Sequence, residues 1–318
     1  MSEVGAEERL WNLVRGALAT RSLAIAAELG VPDALSGGPQ PVADLARESS
    51  ADADALRRVL RALASEGVFI EHAPGVFGNT DASELLRAGS GWGEFAVLFG
   101  GVWLRTVAEL DASGDPAFPR MYGTDFWSWL AQHPDDRARF DLAMGQGSEA
   151  RIERLNAIAW RGDETIVDVG GGNGSLLAEF LKVQPGMRGI VFDLPETVRD
   201  ESIFGDRLEF VGGSFFERVP TGDAYLLATI LHDWDDETAA SILRTIRAAA
   251  PPEARLVILD AVVPPGNEPF GPKWLDLLML ALLAGRERDE AQWRALLDAG
   301  GFKPVRFGER LIEARCRS

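Results

Sequence analysis

Cysteine is almost absent from this chain. Its single thiol, Cys316, lies near the end of 318 residues, so no intrachain disulfide can form and a reducing compartment, the cytoplasm, is expected. Histidine is nearly as scarce: three residues leave no Cys/His set with zinc-ligand spacing, and no metal is expected. Lysine occurs only at positions 182, 273 and 303, and Lys+Arg 32 stand against Asp+Glu 49 for a formal charge of −17. That surplus repels polyphosphate and anionic lipid, which argues against nucleic acid or membrane as a partner and favours a small molecule. Long apolar runs are missing too. Leu275 to Ala284 is the longest, is interrupted by Asp276, and has about half the ~20 residues of a membrane span. The opening residues carry neither the basic nor the apolar region of a secretory signal.

What is present reads as globular. Hydrophobic residues at 46% and charged residues at 25% exclude a disordered chain, and the length suits two domains of roughly 100–200 residues. Residues 1–90 show short amphipathic helices, among them Leu10, Leu13, Val14, Ala17 and Leu18 at helical spacing. Two β-rich runs from Gly67 and Gly75 follow as a hairpin, giving a winged-helix outline. Acidic residues outnumber basic ones there, so a DNA-reading face is disfavoured and dimerisation is the expected use. Residues 91–160 are helical and aromatic-rich, fit to line a pocket for a flat ligand as well as a core. From 161 to 318 the period changes. Short β-rich runs at Glu164, Gly189, Leu208, Ala224 and Arg255 alternate with helices, the pattern of an α/β, Rossmann-like doubly wound sheet, and a hairpin closes the chain.

The first of these strands runs through Asp168-Val-Gly-Gly-Gly-Asn-Gly into a helix. Gly170, Gly172 and Gly174 stand where backbone must turn sharply and approach a ligand without a Cβ in the way. Ser175 replaces the third glycine of a dinucleotide fingerprint, which disfavours NAD, and no Lys-Ser/Thr follows for a triphosphate. Asp193, about 20 residues on, ends the second strand where a carboxylate can accept both hydroxyls of a ribose. His232 follows the fourth strand and so falls at the carboxyl edge of the sheet, where open α/β folds bind ligands. An imidazole there can take a proton near neutral pH, although a strand-end histidine with a satisfied hydrogen bond has the same pattern. Asp260 ends the fifth strand on the same edge and is placed to orient that ring. Asp235 and Asp236 precede a helix and read as capping residues.

Together with Phe192-Asp-Leu-Pro, Leu231-His-Asp-Trp-Asp-Asp-Glu and Gly285-Arg-Glu-Arg, the glycine loop resembles the S-adenosylmethionine-dependent O-methyltransferases of small molecules, the plant phenolic and bacterial polyketide and phenazine tailoring enzymes. The resemblance covers nearly the whole chain. It implies a Rossmann-like catalytic domain, an N-terminal winged-helix domain that forms a homodimer, and S-adenosyl-L-methionine as cofactor. It places that cofactor on Asp168, Gly170, Gly172, Gly174, Asp193, Leu194, Ser214 and Phe215, and makes His232 the general base with Asp260 and Glu287 as its carboxylates. By charge pattern alone, Glu287 belongs to a solvated run from Arg286 to Glu290. Phe140, Met144 and Met279 match substrate-pocket positions, with core packing as their other reading.

The chain departs from the family pattern twice. Ser214 stands where relatives usually carry an aspartate on the adenine amino group, and Ala228 where a basic residue commonly meets the cofactor. Losing one such contact costs on the order of 1–3 kcal/mol. These departures leave open a non-methylating use of the pocket, such as hydroxylation, decarboxylation or pericyclic ring formation.

Overall fold

A computed structural model describes residues 5–145, 147–195, 197 and 206–317. The chain separates into two compact units, one of residues 1–109 with 127–146 and one of residues 110–126 with 147–318. The helical middle segment is thus divided between them.

The first unit is built on helices and a three-stranded antiparallel sheet of order β1-β3-β2, from β1 (Gln40–Pro41), β2 (Phe69–Ala73) and β3 (Val76–Asn79). The helix Ala53–Ser65 starts where the Asp52 side chain accepts the Ala55 N–H at 2.8 Å, a standard N-cap. Its Leu56, Leu60 and Leu63 recur at i, i+4 and i+7 and enter a core with Leu35, Leu45, Phe69 and Phe77. The helix Ala6–Val14 buries nothing: Leu10, Trp11, Leu13 and Val14 are 57–71% exposed. β1 is two residues long and has no periodicity to betray it in the sequence.

The second unit carries a seven-stranded sheet of order β6-β5-β4-β7-β8-β10-β9. Its members are β4 (Thr165–Val169), β5 (Arg188–Asp193), β6 (Leu208–Gly212), β7 (Ala224–Leu227), β8 (Arg255–Ile258), β9 (Phe302–Gly308) and β10 (Leu311–Cys316). The first five run parallel, and β10 pairs antiparallel with both β8 and β9. Strands covered on both faces read as continuous apolar runs, and Tyr225, Leu226 and Leu227, like Leu256, Val257 and Ile258, are fully buried. The helix Ser175–Val183 packs one face with Leu177, Phe180 and Leu181. Helices Asp236–Ala249 and Glu290–Ala299 pack the other with Ile242, Leu243, Ile246 and Trp293. Chain order reverses between β4 and β7, which opens a crevice at their carboxyl ends, the place such sheets hold ligands.

Candidate active site

The glycine loop leaves β4 at the edge of this crevice. Gly170, Gly172 and Gly174 all take left-handed φ, +75, +60 and +75°, a conformation that side-chain-bearing residues rarely adopt. At Gly174 a Cβ would also sit 2.8–2.9 Å from Phe210 and Val191, so glycine lets the following helix start flush against the sheet. The Gly172 N–H donates to Asp193 Oδ2 at 2.8 Å, and the Leu194 N–H donates to Oδ1 at 2.7 Å. Asp193 therefore ties the loop to the end of β5. Asp168 is buried beneath the loop, within 3 Å of where a Gly171 side chain would begin. Burial, reinforced by Asp193, pushes its carboxyl up to about 7, while Arg151 opposes the shift.

Arg151 joins the site from outside the sequence motifs. It lies on the helix Ser148–Asn156, one turn from the buried Leu155, and burial lowers its pKa against the pull of Asp260 and Asp168. The i, i+4 relation to a core leucine is the signal that marks it.

Past β6, Ser214 turns on itself, its Oγ accepting the Phe216 N–H at 3.3 Å. Phe215, Phe216 and Trp234 form an aromatic corner with ring centroids 4.8–6.1 Å apart. Leu194 and Phe216 leave 41% and 43% of their surface exposed, so this rim offers apolar faces to a flat base although Ser214 lacks a carboxylate. Ala228 is partly buried against the core, with no polar group to contribute.

His232 sits on the short turn Leu231–Asp233 beyond β7. Its Nδ1 is 2.8 Å from Glu287 Oε1 and its Nε2 is 3.3 Å from Asp233 Oδ1. The expected Asp260 contact on the ring is not made: Glu287 takes it. Asp260 lies two residues past β8, and among the described residues neither of its oxygens has a hydrogen-bond partner. Asp260 acts on the ring only through its charge. Glu287 reaches the ring because Gly285 lets its segment close onto the turn; a Cβ there would stand 2.2 Å from the His232 carbonyl oxygen. The Arg286 N–H donates to that same oxygen at 2.8 Å, and the Glu287 N–H donates to Asp276 Oδ1 at 2.7 Å. The solvated-run reading therefore fails for Glu287, which is 6% exposed, and for Arg288, which is fully buried. Asp235 caps the helix Asp236–Ala249 through the Thr238 N–H. Asp236 pairs with Arg286 and Arg288.

Burial alone would lower the His232 pKa, but Asp233, the Glu287 hydrogen bond and Asp260 overcome it and raise it to about 10. Burial raises Asp233 to about 7 and Asp260 to about 6, in each case against the imidazole. Two backbone outliers border the cluster. Of the three non-glycine residues with positive φ among those described, Thr229 (57°) precedes the His232 turn and Ala284 (59°) precedes Gly285, the kind of strain that collects at functional sites.

Met279 is buried in the helix Pro272–Leu283 of this unit. Phe140 and Met144 belong to the first unit, on the helix Pro134–Met144, where the Phe140 ring packs 5.6 Å from Trp127 and 6.4 Å from Trp103.

This geometry meets an S-adenosylmethionine ligand well. The loop has no Cβ at Gly170, Gly172 or Gly174, and Asp193 ties it to the end of β5. Among the described residues Glu287 Oε2 is a buried acceptor with no partner, and the buried Asp260 carboxylate, near the Leu231 amide, bonds no side chain; both are complementary to a hydroxyl donor and a positive charge.

Comparison with known proteins agrees. Residues 105–303 match the O-methyltransferase domain and residues 11–89 the O-methyltransferase dimerisation domain. The phenazine O-methyltransferase PhzM of Lysobacter antibioticus is 38% identical over 96% of this chain and 95% of its own. The solved mitomycin 7-O-methyltransferase MmcR superposes with a TM-score of 0.88 at 34% identity, over 98% of each chain. An O-methyltransferase from neocarzinostatin biosynthesis, solved with S-adenosyl-L-homocysteine and 1,4-dihydroxy-2-naphthoic acid, superposes at 0.79 with 30% identity, over 99% of this chain and all of the other.

Proposed function

We propose that this chain, which belongs to the O-methyltransferase family, methylates a hydroxyl of an aromatic or polyketide-like small molecule, with His232 as general base. Its cofactor, S-adenosylmethionine, supplies an electrophilic methyl group on a positively charged sulfur. Asp193 and the amides of the Gly170–Gly174 loop would hold the nucleoside, with Asp168 beneath them. Leu194, Ser214, Phe215, Phe216 and Trp234 would enclose its base, and Arg151 would face its carboxylate. The observation that carries the reading is the His232–Glu287 pair standing at the crevice beside that loop.

Glu287 holds Nδ1, so the acceptor hydroxyl would be met at Nε2, the nitrogen that Asp233 flanks. In the resting cluster the imidazole is protonated at neutral pH, because its pKa is raised to about 10. Asp233, 3.3 Å from Nε2, helps hold that proton, so the working base is the fraction of the ring whose Nε2 proton has passed to solvent, a fraction that grows as pH rises. The ring then accepts the hydroxyl proton as the oxygen gains its new bond to carbon, and Glu287 stabilises the imidazolium that results. Met279, in the unit that carries His232, is proposed as an acceptor-side residue, and Phe140 and Met144 of the first unit are proposed for the same role only as the family resemblance implies.

Incubating the protein with methyl-labelled S-adenosylmethionine and a panel of hydroxylated naphthoates, phenazines and flavonoids tests this by mass spectrometry. A labelled methyl ether is the expected product. A product formed without the label would instead establish a non-methylating use of the pocket.

A homodimer through the N-terminal domain follows from the dimerisation-domain match and from the exposed face of the helix Ala6–Val14. Burying a large aliphatic side chain is worth about 1.5–3 kcal/mol, and Leu10 and Val14, 64% and 71% exposed, lie one turn apart on that face. The double substitution Leu10→Glu, Val14→Glu is expected to convert the dimer to monomer in sedimentation. A wild-type monomer, or a variant still dimeric, refutes the assignment.

A further inference from the structure

Arg288 stands in a run of charges and yet is 0% exposed. Its Nη1 donates to the Leu231 carbonyl, its Nη2 to the Trp234 carbonyl and its Nε to Asp236 Oδ1, each at 2.8 Å. Trp293 lies 5.4 Å beneath the guanidinium, and its own indole N–H donates to the Ala261 carbonyl next to Asp260. The two carbonyls belong to the residue just before His232 and the residue just after Asp233. One planar fork therefore spans the two-residue turn that carries the imidazole and the carboxylate on its Nε2.

Residues 286, 287 and 288 each grip this turn in a different way. The Arg286 amide takes the His232 carbonyl, the Glu287 carboxylate takes the ring, and the Arg288 guanidinium takes the two flanking carbonyls. Stability alone does not account for a buried guanidinium, since a well-packed apolar residue of similar volume serves about as well. What a rigid fork adds is geometry: a lysine ammonium cannot satisfy two divergent carbonyls and a carboxylate in one plane.

We propose that Arg288, anchored by Asp236, is a positioning residue for methyl transfer: it fixes the Leu231–Trp234 turn so that His232 stays seated on Glu287. The inference rests on His232 being the base, and Arg288 acts through it without touching substrate. The charged groups facing His232 are Asp233 on its own turn, Asp260 after β8 and Glu287 from the closing segment, while the Arg288 charge acts on Asp260.

The test uses Arg288→Lys in the full-length protein, which keeps the charge and loses the fork. Because the chain has only His72, His133 and His232, nitrogen-labelled histidine gives ring resonances that can be assigned one by one. The expected result is a kcat lowered at least about tenfold with cofactor affinity within about twofold by calorimetry. His232 ring signals should move, and its titration should fall towards the ordinary imidazole range. In a His232→Ala background Arg288→Lys should cost nothing further, the mark of two residues acting as one unit. Asp236→Asn, at a half-exposed side chain, should shift the same signals by a smaller step and decides the matter if Arg288→Lys does not fold. Unchanged His232 signals and titration in the folded variant overturn the proposal, as does an equal slowing with and without His232. A wild-type rate in His232→Ala would refute the base instead, and the ring signals would still judge whether Arg288 holds the turn.

Discussion

Replacing His232 by alanine is expected to lower methyl transfer by about 10²–10⁴-fold, or roughly 3–5 kcal/mol of transition-state stabilisation. Binding of S-adenosylmethionine should change little, because the loop and Asp193 that would hold it lie on other strands. The assignment also dictates a pH dependence. A base works only when deprotonated, and this imidazole is raised from 6.5 to about 10, so the acid limb of kcat/KM should lie above 6.5 and the rate should climb with pH across neutrality. Glu287→Gln removes one of the charges that raise it, so its acid limb should move down towards 6.5 even as the less firmly held ring lowers the maximum. His232→Ala with wild-type turnover, or a profile whose acid limb already ends below 6.5, would sink the assignment.

The parts of this site legible in the sequence are those made by contiguous residues. A strand ending in Gly-Gly-Gly-Asn-Gly has to turn into its helix through left-handed backbone, and the structure turns it at Gly170, Gly172 and Gly174. Strands covered on both faces announce themselves as apolar runs, and a carboxylate about 20 residues after the loop falls beside it, as Asp193 does. Residues whose environment is made by distant chain were misread or missed. Glu287 and Arg288 look solvated among Arg286, Asp289 and Glu290; they are buried because a segment some 55 residues beyond His232 closes over its turn. Asp260 was expected on the imidazole because its strand neighbours that of His232. The ring bond depends on side-chain reach, which Glu287 has and strand order does not reveal. Arg151 is hidden for the same reason: the carboxylates that act on it, Asp168 and Asp260, come from other elements.

Gly285→Ala is expected to be the most damaging single-methyl change in the second unit. The added Cβ would meet the His232 carbonyl oxygen at 2.2 Å, the Asp233 carbonyl carbon at 2.7 Å and its oxygen at 2.9 Å. All three are backbone atoms, so no side chain can swing aside; either the turn or the closing segment has to move. Overpacking of this kind costs about 1–3 kcal/mol or more, and Ala284 at φ 59° has no slack to absorb it. Separating the segments loosens the Arg286, Glu287 and Arg288 bonds to the turn together, displacing the imidazole from its carboxylate. A displacement near 1 Å in such a group is worth about 100-fold in rate, so kcat should fall at least that far, with Tm lower by several degrees. Gly271→Ala is the control: its φ is −50° and nothing lies within 4 Å of its added Cβ, so rate and Tm should both hold. If Gly285→Ala turned over like the wild type, the close approach of these two segments could not be what seats the base.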